Sequence, residues 1–201
     1  MAVKFANNNS LSAITSLPDS ISGGALVLLS TQTASSSATL SFTSGIDSTY
    51  KEYIFKLINI HPATDNTETT FNMSTDGGSN YNVTKTTTFV QAEHDEADST
   101  TSLAYKTADD LIQATGFQNI SDTIGNDNDA NGNGTLHLFD PSNTTFVKHF
   151  FSRVNGMYNS NYHTDCFVGG YGNTTSAVNA IQFKMASGNI DSGVIKLYGV
   201  S

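Results

Sequence analysis

From Ala25 onward the chain is written as short apolar segments, most of them alternating, cut apart by turn residues. That period of two points to β-structure throughout. The clearest segment is residues 50–60, YKEYIFKLINI. In it Tyr53, Phe55, Leu57 and Asn59 fall on one face, and Ile54, Lys56, Ile58 and Ile60 on the other. Apolar residues on both faces predict a central position in a sandwich. Further segments of this kind are residues 25–32, 39–42, 70–74, 83–91, 135–139, 145–154, 162–168, 180–185 and 194–200. The turn signal Asp76-Gly77-Gly78-Ser79-Asn80 predicts a hairpin between residues 70–74 and 83–91. A short helix is expected at one place only, around Ala108–Ala114 with Thr107 as its N-cap. About ten strands at intervals of roughly 8–15 residues predict an all-β fold, an antiparallel β-sandwich of jelly-roll type.

Composition supports the same reading. Only 13% of the residues are charged, about half the share of a typical domain. Solvation falls to Thr, which suits a pleated strand, and to Ser and Asn, which suit turns. Residues 1–24 are small and polar, with Pro18, Gly23 and Gly24 as punctuation, and are read as an extended N-terminal arm. Its Lys4, Phe5, Leu11, Ile14 and Leu17 are the candidate docking residues, and residues 25–201 form a single sandwich domain. The net charge of −9 and the lack of a Lys/Arg cluster argue against nucleic acid and anionic membranes as partners. No apolar run reaches the roughly 18 residues of a membrane-spanning helix. The start, MAVKFANNN, lacks the pattern of a signal peptide, so assembly in the cytoplasm is expected.

Four constellations bear on chemistry. Asp127, Asp129, Asn131 and Gly132 match the front half of a calcium loop, in which oxygens on alternate residues wrap a hard cation. The twelfth position is Leu138 rather than Glu, so a solvated turn is the ordinary reading and weak Ca2+ binding the alternative; no other cofactor is expected. Glu93, His94, Asp95, Glu96 and Asp98 form an acidic group, but consecutive residues diverge, which favours a solvated loop over acid–base work. His137 and His149 could share one face if their strands pair; a metal site there would need a third ligand, and buried hydrogen-bonded histidines or a subunit seam are the ordinary reading. In His163-Thr164-Asp165-Cys166, a strand would turn Cys166 away from His163 and Asp165, which argues against a thiol catalyst.

Several stretches resemble structural virion proteins of marine tailed bacteriophages, of the decoration and fibre type. They are the opening Met1-Ala2-Val3-Lys4-Phe5-Ala6-Asn7-Asn8, residues 29–34 leading to Ser41-Phe42-Thr43-Ser44-Gly45-Ile46, residues 74–81, and the closing Ile195-Lys196-Leu197-Tyr198-Gly199-Val200. The resemblance implies a non-enzymatic capsid decoration or head-fibre protein, located in the virion and assembled in the host cytoplasm. Its partners would be other virion proteins and further copies of itself, most often as a trimer. The alternative is a tail fibre, adaptor or receptor-binding protein that binds a host surface glycan. Tyr158, Asn159, Asn161, Tyr162 and Tyr171 are then the candidate sugar contacts, since aromatic faces beside amides suit sugar rings. A polysaccharide hydrolase is the remaining class, and no catalytic residue is carried over to it.

Overall fold

The computed structural model describes residues 25–201, so the candidate docking residues Lys4, Phe5, Leu11, Ile14 and Leu17 lie outside the described part. Among the described residues there are twelve strands and no helix. They are β1 (Leu26–Ser37), β2 (Leu40–Phe42), β3 (Glu52–Pro62), β4 (Thr69–Ser74), β5 (Lys85–Asp95) and β6 (Thr101–Tyr105). There follow β7 (Gln118–Asn119), β8 (Gly132–Phe139), β9 (Lys148–Tyr158), β10 (Tyr162–Gly172), β11 (Ala180–Met185) and β12 (Ile190–Val200). They form an eight-stranded sheet, β1-β12-β3-β8-β9-β10-β5-β6, and a four-stranded sheet, β2-β11-β4-β7, both antiparallel.

The pairing is nested. β1 pairs with β12, β2 with β11, β3 with β8, and β4 with β7. Two strand pairs are inserted into this pattern, β5–β6 after β4 and β9–β10 after β8, and both widen the larger sheet. The final strand, β12, lies between β1 and β3, so ladder hydrogen bonds hold it on both edges.

Alternation decides which side chains meet between the sheets. Tyr53, Phe55 and Leu57 of β3 share one face and are buried between the sheets. Phe55 packs edge-on to Phe42 (5.3 Å) and near Phe183 (5.4 Å), while Phe71 packs edge-on to Phe150 (4.9 Å), so aromatic pairs join one sheet to the other. Asn59 breaks the pattern. It adopts a φ of 52° where the β3 register shifts, and Ile60 takes the inward position instead. Gly193 accommodates this bulge from β12: with a φ of 126°, a Cβ there would meet Asn59 O at 2.6 Å.

Two sequence expectations fail because tertiary partners decide, and a third holds only in part. The hairpin between residues 70–74 and 83–91 does not form, because β4 pairs with β11 and β7 while β5 pairs with β10 and β6 in the other sheet. The Asp76-Gly77-Gly78 turn reverses the chain as expected, but a reversal does not choose a partner strand. The helix around Ala108–Ala114 is absent. Ala114 exchanges backbone hydrogen bonds with Lys85, and Leu111 N donates to Thr87 Oγ1 at 2.8 Å, so this backbone is spent on β5. Ile112 is 80% exposed, which leaves no apolar stripe to hold a helix down. Finally, β3 is interior to its sheet but only one face is covered: Ile58, on the other, is exposed.

Candidate functional site

Three polar segments that are far apart in sequence meet at one end of the larger sheet: the β5–β6 turn, the 122–131 segment and the tip of the β9–β10 hairpin. Tyr158 and Tyr162 are register partners at this tip, with their rings edge-to-face at 6.0 Å. A cleft of about 340 Å3 on the outward side is lined by His94, Glu96, Asp129, Asn131, Met157 and His163, among others. A second, of about 460 Å3 on the inward side, is lined by Glu93, Lys106, Asp122, Tyr158, Tyr162 and Thr164, among others.

In the inward cleft Gln91 lies across from Cys166 and turns its side chain inward, where its Nε2 donates to Glu93 Oε2 (3.1 Å) and Asp122 Oδ2 (2.5 Å). Two carboxylates are thus held side by side in a cleft that Tyr158, Tyr162 and Lys106 also line. Aromatic faces beside hydroxyl acceptors suit a polyhydroxylated ligand. Of the five candidate sugar contacts, only Tyr158 and Tyr162 line this cleft. Asn159 is a strut: its Nδ2 donates to Asp65 Oδ2 at 3.0 Å, and this bond leads the causes holding the Asp65 carboxyl below its ordinary value. Asn161 turns the hairpin with a φ of 61°, and its carbonyl accepts from Glu96 N. Tyr171 lies nine residues along β10 from Tyr162, about 30 Å away at the strand rise, and its ring neighbours His149.

The calcium-like loop forms a turn of its own. Ala130 N donates to Asp127 O, and Asn131 Oδ1 accepts from Asn133 Nδ2 at 2.5 Å. Among the described residues, no three His, Cys, Asp or Glu side chains are placed to hold a metal ion together. The acidic group 93–98 is partly strand rather than loop. Asp95 is buried and accepts from Ser99 and Thr100, with the Ser99 hydroxyl the main reason its carboxyl stays below the ordinary range. His94 and His163 face each other across β5 and β10, a pair that only the register reveals. Cys166 points inward while His163 and Asp165 point outward, as expected, and burial pushes its thiol up to about 12. The folded chain should therefore leave a thiol reagent unconsumed at neutral pH and take up one equivalent only after denaturation. Stoichiometric labelling of the native protein would contradict this burial.

The outward face of the larger sheet is the second feature. Register places Leu28, Tyr198, Ile54, His137 and Phe151 in one row across β1, β12, β3, β8 and β9. His137 stacks on Phe151 at 4.5 Å and pairs with Glu52 Oε1 at 2.7 Å, and Phe139 lies 5.7 Å from Phe151. His149 is on the same outward face, as the strand-pairing expectation required, but it is exposed rather than buried. Arg153 forms a two-toothed pair with Asp165 and lies over the Phe167 ring at 4.8 Å. Leu28 is 52% exposed, Phe151 45% and Phe167 43%.

Comparison with protein-family models, with curated proteins and with solved structures gave no match. The side chains themselves must therefore identify what this chain does. The sequence did carry a trace of the outward face, since Ile54 and Ile58 alternate with the core residues of β3. Neither it nor the Glu93–Asp122 pairing could be read further, because both are assembled by register between segments far apart in the chain.

Proposed function

We propose that this chain is a non-enzymatic structural protein of a bacteriophage particle, a capsid decoration or head-fibre component that attaches through its surface. The observation that carries this reading is the outward face of the eight-stranded sheet. Large apolar side chains stand in rows there, and no other described part of the chain covers them. An exposed row of large apolar side chains on a chain otherwise dressed in Ser, Thr and Asn is the mark of a contact surface. The nested strand pairing supports the jelly-roll form of the sandwich, an architecture common in capsid proteins: it is the order left when one long antiparallel hairpin is rolled up. Residues 1–24 serve as a docking arm onto the particle, and several copies assemble together, with a trimer as the working symmetry. Purified particles of the phage that encodes this chain should contain it, measured by peptide mass spectrometry. A copy number in the hundreds would assign it to the capsid, and complete absence would overturn the proposal.

The inward cleft favours a second reading, a receptor-binding fibre or adaptor that takes a host glycan against Tyr158 and Tyr162. A glycan array should then give hits that Tyr158→Ala and Tyr162→Ala each weaken by about tenfold or more, the loss of one stacked ring. An array without hits would remove this second reading and leave the first in place.

A further inference from the structure

We infer that the outward face of the eight-stranded sheet is the seam between copies of this chain, an assignment that rests on the structural reading above. Three observations favour a second copy over a partner of different chemistry. The first is charge. The chain carries 18 acidic and nine basic side chains, so two copies brought together at most surfaces would repel. The rows of this face hold Lys56, Lys196 and Arg153 against Glu52 and Asp165, a near-neutral patch on an acidic molecule. Glu52 is already engaged by His137, and Asp165 by Arg153.

The second observation is extent. Seven strands, from β1 to β5 in sheet order, span about 29 Å at the usual strand spacing. Some eight residues along each give about 27 Å, so the face offers roughly 800 Å2, what each partner of a standard stable interface buries. The third is rigidity. The anchors stand on paired strands, and His137, Phe139 and Phe151 already pack on one another, so little side-chain freedom is lost when a second copy covers them.

Sedimentation of the full chain across micromolar concentrations provides the test. The wild type should run as a multiple of 21.4 kDa. Phe151→Glu should shift it towards the single-chain mass, weakening association by at least ~100-fold, because each copy buries a new unpaired charge. The milder Phe151→Ser should weaken association in the same direction, and a thermal melt checks that both variants stay folded. Ile112→Glu, on another exposed surface, should leave the mass unchanged. A wild type that stays a single chain at every concentration overturns the seam, although detection in particles would still support a structural role. An oligomer that both Phe151 variants leave intact also overturns it, and moves self-association to another face.

Discussion

Replacing Phe183 with alanine should cost about 3–5 kcal/mol, a large share of the roughly 5–15 kcal/mol that holds a domain folded. Phe183 sits on β11 with no exposed surface, and its ring lies 6.2 Å from Phe42, 5.4 Å from Phe55 and 6.3 Å from Phe71. Those three rings belong to β2, β3 and β4, so Phe183 joins its own sheet to the larger one. Truncation would remove the transfer energy of the ring and leave a cavity between two rigid layers that cannot close on it. Urea denaturation followed by circular dichroism measures the loss. A change below about 1 kcal/mol would mean that the sheets do not meet at this residue.

Lys85 gives the second large effect, on the pH dependence of stability. It is fully buried on β5, where Nζ donates to Asn72 Oδ1 (2.5 Å) and Val83 O (2.8 Å), with no carboxylate among the described residues in contact. Burial pulls its ammonium down to about 7, from an ordinary value of 10.5. Between these two values the unfolded chain holds a proton that the folded chain has released. This group therefore makes stability rise with pH across that interval and adds nothing further above it. Burial holds the Cys166 thiol up at about 12 and works in the opposite direction above the ordinary thiol range, so the clean window is pH 7 to 9. Wild-type stability should gain on the order of 2 kcal/mol across that window, at about 1.4 kcal/mol per unit once the folded lysine is neutral. Lys85→Met should abolish the slope. Its absolute stability is the poorer readout, because it also strips a donor from Asn72 and from Val83. A variant with the wild-type slope would mean that Lys85 is charged in the fold.

Local pattern carried the fold a long way. Alternation in residues 50–60 and 194–200 marked both as strands, and folding buries Tyr53, Phe55, Ile195 and Leu197, because a strand with one covered face has no freedom in its register. The failures occur where a tertiary partner decides. Residues 101–105 are a strand because the edge of β5 accepts them, and β7 is only two residues long. β4 has every residue buried, so no alternation marks which sheet it joins. The candidate site was less legible still. Tyr158 and Tyr162 stand close together in sequence beside asparagines, so both could be singled out there, whereas Glu93, Asp122 and Lys106 come together only through folding. The row from Leu28 to Phe151 uses one residue from each of five strands, a pattern with no signature along the chain.

The claim that this chain acts through the outward face is tested most directly by hydroxyl-radical footprinting of the full wild-type chain at assembling concentration, read residue by residue by mass spectrometry. Phe151, 45% exposed in a single copy, should react as a buried ring, while Ile112 at 80% reacts freely. Dilution should restore Phe151 to the reactivity its own exposure dictates. A Phe151 that reacts freely at every concentration would contradict the account.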